Sequence, residues 1–157
     1  FGASLGAYHL KDKYRFSHDL DYTSKTQIQC DKVQEILNSL EIKDMGSIMM
    51  VPELEDLKIV NEINYSNLTV KIPSIENFAL SKLLSNRQKD YDDLKNYPIL
   101  DNCNIKELKE MLDEYLPYFV FGDNPSYNFN FLDDLLEDRN LDKSEDSTPQ
   151  QLISIET

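Results

Sequence analysis

The 157-residue sequence predicts an α/β (α+β) fold with a C-terminal helical extension, on three observations. Short apolar runs bounded by turn residues read as strands. Segments with apolar residues at helical spacing stand before and after them. Beyond Pro98 only helical patterns and loops occur. The length fits one domain that buries most of its apolar surface. The reading divides the chain into an α/β domain at 1–98, a helical extension packing on it at 99–139, and an acidic flexible tail at 140–157.

Taken in order, FGASLGAYHL opens with a glycine turn and continues with Leu5, Ala7 and Tyr8 at helix-like spacing. RFSHDLDY, residues 15–22, reads as a short strand. Alternation along a strand then places Asp19 and Asp21 on one face and Leu20 on the other. Residues 26–41 predict an amphipathic helix through Val33, Ile36, Leu37 and Leu40, with Ser24 or Thr26 as its cap. Three strands follow: SIMMV at 47–51, KIVNEI at 58–63 and LTVKI at 68–72, with Asn67 in the turn before the last. In the last, Leu68, Val70 and Ile72 share a face, which suits a sheet packed on helices on one side.

Pro73 lacks a ladder donor and Ser74 offers a capping oxygen, so the strand ends there and a helix runs over 75–85. A second helix opens near Lys89 and stops before Pro98, because the residue preceding proline avoids helical geometry. NIKELKEMLDEYL gives a third, capped by Asn104, with Glu107 completing a capping box and Ile105, Leu108, Leu112 and Tyr115 as its stripe. FGDNPSYN is a loop and FNFLDDLLEDR a last short helix. The aromatics Tyr115, Tyr118, Phe119 and Phe121 pack these helices on the sheet rather than stack bases.

The formal net charge is −13, unfavourable for phosphate binding by a uniform surface. It is unevenly spread: residues 1–98 hold 12 basic and 15 acidic side chains, whereas residues 99–157 hold 4 and 14. The N-terminal part can therefore meet a nucleotide, especially with a divalent cation present. The acidic C-terminal part suits a protein partner or a mimic of nucleic acid. The two cysteines, Cys30 and Cys103, match neither a metal pair nor a disulfide framework, which predicts a reducing, cytoplasmic setting. No run reaches the ~20 apolar residues of a membrane span, and no signal-peptide pattern opens the chain.

Two carboxylates on one face repel unless a cation or strong donors sit between them. Asp19 and Asp21 pose that requirement, and Mg²⁺ meets it, since it takes one or two carboxylates together with phosphate oxygens and water. Gly2 and Ser4, a glycine and a small hydroxyl residue at the start of a helix, leave N–H and O–H groups for phosphate. The chemistry that this combination suits is an in-line displacement at a nucleotide phosphate. Asp90 and Asp93 also suit a helix N-terminus, where Arg87 or Lys89 can pair with them. His9 gives no signal above packing, His18 points away from both aspartates, and Met45, Met49 and Met50 read as core filler.

Gly2-Ala3-Ser4, the Arg15-to-Asp21 run RFSHDLD, Lys82-Leu83, and RQKDYDDL from Arg87 to Leu94 occur in one order over residues 1–98. In this the sequence resembles the nucleotidyltransferase-fold superfamily, and within it the bacterial AbiEii-type, abortive-infection, toxin-like proteins. The resemblance implies a nucleotidyltransferase fold, a mixed β-sheet flanked by helices. It implies Mg²⁺ on Asp19 and Asp21, an NTP on Gly2, Ser4, Arg15, Ser17 and Lys82, and Asp19, Asp21, Lys82 and Asp90 as catalytic residues. It also implies transfer of a nucleotide to RNA, such as tRNA, or to protein, by the toxin of a toxin–antitoxin or phage-defence pair with a cognate antitoxin. Two positions depart from the pattern. Ala3 replaces a glycine, and Met49 stands where a third acid is expected, with Glu53 and Glu62 as substitutes. The alternative is a catalytically degenerate relative that binds nucleotide or partner.

Overall fold

Pro73 and Ser74 place the helix around which the chain folds in the computed structural model, which describes residues 3–16, 20–22, 31–44, 55–66, 68–118 and 123–141. Ser74 has extended backbone, and its Oγ accepts the Asn77 N–H at 3.3 Å, capping α3 (Ile75–Leu83). Every residue of α3 from Glu76 to Leu83 is buried. Around it pack Leu5 and Leu10 of α1 (Ala3–Leu10), Leu94 of α4 (Gln88–Asn96), Leu108 and Leu112 of α5 (Ile105–Tyr115), and Leu132, Leu135 and Leu136 of α6 (Leu132–Glu137). One apolar core thus joins residues on both sides of Pro98.

A helix buried all round meets the hydrogen-bonding needs of its polar side chains inside the protein, and in α3 they are met with the exception of Asn77 Nδ2. Glu76 Oε1 accepts the Asn104 N–H at 2.9 Å, and Asn77 Oδ1 accepts the Lys58 N–H at 3.0 Å. Ser81 Oγ donates to the Phe78 carbonyl at 2.7 Å. The first of these bonds changes the predicted capping box of α5. Asn104 Oδ1 does accept the Glu107 N–H, at 3.2 Å. The Asn104 N–H, however, is taken by Glu76, and the Glu107 carboxylate instead accepts Lys58 Nζ at 2.6 and 2.8 Å.

Parallel and antiparallel strand pairs are both present. β1 (Leu20–Tyr22) runs parallel to β2 (Ile42–Asp44), with α2 (Asp31–Ser39) between them in sequence and Asp21 in register with Lys43. The strand β2 is not predicted from the sequence. α2 ends two residues short of the predicted bound, and Glu41, in left-handed backbone (φ 56°), turns the chain into β2. β3 (Ile59–Asn64) pairs antiparallel with β4 (Thr69–Pro73), with a bulge between Ile59 and Asn61.

The predicted apolar faces of α2 and β4 differ from those observed. Leu68 and Val70 are exposed, and burial along β4 begins only at Ile72 and Pro73, where the hairpin joins the core. No residue of α2 is buried, although Val33, Ile36, Leu37 and Leu40 fall at the predicted spacing. Apolar period identifies a face but not what covers it. SIMMV, Ser24, Thr26, Asn67, Phe119, Phe121 and residues 142–157 lie outside the described residues. Among those described, no helix is long and apolar enough to cross a membrane.

Candidate functional site

Lys82 sits in the last turn of α3 with its side chain 3% exposed. It reaches α4, where Asp90 and Asp93, three positions apart, lie on one helix face. Lys82 Nζ donates to Asp90 Oδ1 at 2.9 Å and to Asp93 Oδ2 at 2.7 Å, and stands 4.9 Å from the centre of the Phe78 ring. Two of its three N–H donors therefore meet carboxylates, and the ammonium lies over an aromatic face.

Both carboxylates take further donors. Arg15, in the segment between α1 and β1, donates Nε to Asp93 Oδ1 at 2.9 Å and Nη2 to Asp93 Oδ2 at 3.1 Å, a forked pair. The Tyr14 hydroxyl donates to Asp93 Oδ2 at 2.7 Å. Asp90 Oδ2 accepts Ser85 Oγ and Arg87 Nε, each at 2.7 Å. Burial alone would raise both aspartates, but the hydrogen bonds and positive charges of Lys82, Arg15, Arg87, Tyr14 and Ser85 outweigh it, and both ionise below the ordinary carboxylate value. Burial and the Asp93 carboxylate push the Tyr14 hydroxyl well up, and the Asp93 bond raises Arg15 further.

The cluster holds two carboxylates and three cations, one positive charge in surplus. Its lysine is sealed in, whereas Arg15 and Arg87 are 26% and 55% exposed and form its outer rim. A Cβ at Gly6 would overlap the Tyr14 ring, so α1 needs glycine where it passes this residue. His9 Nε2–H donates to the Pro73 carbonyl at 2.8 Å and Asn61 Nδ2 donates to Tyr8 Oη at 3.0 Å, tying α1 to the hairpin.

Of the residues expected to carry chemistry, Lys82, Asp90 and Arg15 are thus brought together. Ser4 is partly buried in the first turn of α1, and α1 lies against β1, whose middle residue is Asp21. Gly2, Ser17, Asp19, His18, Met49 and Glu53 lie outside the described residues. Glu62 is on β3, in the other strand pair from Asp21, and pairs with Lys71 at 3.4 Å. Among the described residues, no three His, Cys, Asp or Glu side chains are grouped to hold a metal ion. Cys103 is a packing residue whose Sγ donates to the Ile99 carbonyl at 3.3 Å, and burial pushes its thiol pKa up.

The sequence gives Asp93, which accepts from three residues, only as an acid near a helix N-terminus, and does not indicate Tyr14 or Ser85. The repeat of aspartate at i and i+3 in KDYDDL is the signal for Asp93. Nothing marks Tyr14 or Ser85 in advance, since their partners are remote or across a turn. A family model described as "Nucleotidyltransferase of unknown function (DUF6036)" matches residues 2–137, a span that contains the whole cluster. Among curated proteins no match is found. Among solved structures none is found either.

Proposed function

Because the chain belongs to the nucleotidyltransferase family DUF6036, we propose that it transfers a nucleotide from an NTP to an RNA, such as tRNA, or to a protein, with Asp19 and Asp21 holding Mg²⁺. The observation that carries this reading is the surplus positive charge of the buried cluster, delivered to its rim by Arg15 and Arg87. A surplus cation in a chain that also carries two carboxylates suited to a metal fits a phosphate ligand.

Donor chemistry supports the metal. Asp21 lies in extended, paired backbone, Asp19 is two positions before it, and hard carboxylate oxygens are what Mg²⁺ takes. Bound there, Mg²⁺ supplies Lewis-acid charge to the phosphate oxygens. The chain's own groups do the rest. Backbone N–H groups at Gly2 and Ser4, at the start of α1, bind the triphosphate together with Arg15 and Ser17. Lys82 and Asp90 belong to the proposed catalytic set; Asp90 also accepts Arg87, and Arg15 is held on Asp93. In the transfer itself, the acceptor oxygen attacks the α-phosphorus in line. The bond from that phosphorus to the α,β-bridging oxygen breaks, pyrophosphate leaves, and the acceptor proton passes to solvent or a carboxylate.

The AbiEii-type assignment, the role as toxin of a toxin–antitoxin or phage-defence pair and the cognate antitoxin are part of this proposal and follow from the motif order. The test is incubation of the protein with each labelled NTP, Mg²⁺ and total RNA or candidate proteins. Wild type is expected to label an acceptor and Asp19→Asn to lose at least ~100-fold of that activity, the scale of removing one electrostatic stabiliser. Equal silence of both with all four nucleotides would count against transfer.

A second reading, binding without turnover, is favoured by the state of Lys82, whose ammonium is already engaged by Asp90 and Asp93. It predicts that NTP with Mg²⁺ raises the melting temperature although no acceptor is labelled.

A further inference from the structure

The 3₁₀ turn before α6, Asn128–Phe131, carries a buried amide that the proposed mechanism does not use. Asn128 is 3% exposed, and burying a primary amide is unfavourable unless its donors are met. Its Nδ2 donates to the Lys82 carbonyl at 3.0 Å and to the Arg87 carbonyl at 3.4 Å. Its backbone N–H donates to the Ser85 carbonyl at 2.9 Å. One residue thus grips three carbonyls across the corner where α3 ends and α4 begins. That corner carries Ser85 and Arg87, the two donors to Asp90 Oδ2.

We infer that Asn128 is a positioning residue of the proposed site, fixing from the C-terminal segment the corner that presents Ser85 and Arg87 to Asp90. Its consequence for nucleotide binding rests on the proposed function; its action on Asp90 does not. Helix geometry alone does not set this corner, because the last carbonyls of a helix lack intrahelical donors and the following residues are free to turn in several ways. Asn128 selects one of them. The rim cation Arg87 is therefore held from both sides, by its Nε on Asp90 and by its carbonyl on Asn128. Burial raises the Asp90 carboxyl, and Lys82 from α3 with Arg87 and Ser85 from the corner lower it; Asp93, with its partner Arg15, faces it across the shared Lys82 ammonium.

The experiment is a carboxyl ¹³C titration of Asp90 in the full chain, comparing wild type, Asn128→Ala and the packing control Leu136→Val, with MgNTP affinity measured on the same three proteins. Asn128→Ala is expected to move the Asp90 titration up toward the ordinary aspartate range and to weaken MgNTP several-fold, while Leu136→Val lowers stability and moves neither. An Asp90 titration unchanged by Asn128→Ala, or moved equally by Leu136→Val, would overturn the inference, as would unchanged MgNTP affinity in Asn128→Ala when wild type binds. Should wild type bind no NTP, the proposed function fails and the Asp90 titration still decides the positioning role. If Asn128→Ala does not fold, Asn128→Leu, which removes the donor at similar volume, is read in the same way.

Discussion

Lys82 shows how burial changes the meaning of a charged residue. The exposed pair Lys58–Glu107, at 2.6 Å, contributes little to stability because water and side-chain entropy oppose it, about 0–1 kcal/mol. Lys82 is different, since removing it strands two carboxylates that are each 3% exposed. Lys82→Ala is therefore expected to destabilise the protein by about 3–5 kcal/mol in urea denaturation. Little or no loss would mean that Asp90 and Asp93 find other partners. An activity defect in this variant has to be read beside its stability.

The two aspartates also predict an acid response. Their folded-state pKa values lie below the ordinary aspartate value of about 3.9 expected in the unfolded chain. The unfolded state then binds more protons as pH drops, so the stabilisation is complete above about pH 4 and is lost as pH falls through the folded values. Denaturant titrations of wild type at successive pH values should show this decline beginning below about pH 4, and Asp93→Asn should flatten it. An equal slope in both proteins would contradict the assignment. At this scale the sequence reveals Lys82, Asp90 and Arg15 by their motifs but conceals Tyr14 and Asn128. Tyr14 lies 79 positions from Asp93 and Asn128 lies 46 from Lys82. No local pattern encodes such pairings.

Among elements, α4 is secured at both ends. Asn128 and Arg87 define its start, and at its end Arg139 Nη2 donates to the carbonyls of Leu94, Lys95 and Tyr97 at 2.8, 2.7 and 2.9 Å. Those of Leu94 and Lys95 belong to the last turn, where no intrahelical donor remains and positive charge is favoured, and that of Tyr97 to the residue just past it. α1 contributes through close approach, because Gly6 leaves room for the Tyr14 ring that reaches Asp93. Gly6→Ala should displace that ring and cost about 1–3 kcal/mol by overpacking, with the Tyr14 hydroxyl released from Asp93. A melting temperature equal to that of wild type would show that the ring gives way freely.

Helices with caps were legible: Ser74 and Asn104 stand where the sequence places them. The strand β2 was not, because three residues, IKD, with a single apolar side chain, carry no alternation. The exposed hairpin face departs from its pattern for the opposite reason. Leu68, Val70 and Ile72 do alternate, but most of that face lies beyond the core.

Over the whole molecule, the C-terminal helices do more than add bulk. Leu108, Leu112, Leu132, Leu135 and Leu136 share the core of α3, while Asn128 and Arg139 hold α4 from outside it. The predicted division at residue 98 follows the shift from strands to helices in the sequence, and across it Asn128 bonds to the carbonyls of Lys82, Ser85 and Arg87. That coupling agrees with a family match extending to residue 137. Fold class was legible because periodicity is local, whereas the buried cluster depends on α1, α3, α4 and the C-terminal segment meeting at one place.

The central claim is nucleotidyl transfer, and the position of the label that reaches the acceptor tests it most directly. The protein is supplied with Mg²⁺, an acceptor fraction and the same NTP labelled at either the α- or the γ-phosphate. Transfer at the α-phosphorus predicts that the α-label becomes covalently attached and the γ-label is released in pyrophosphate. Attachment of the γ-label, or attachment of neither across the four nucleotides, would contradict it.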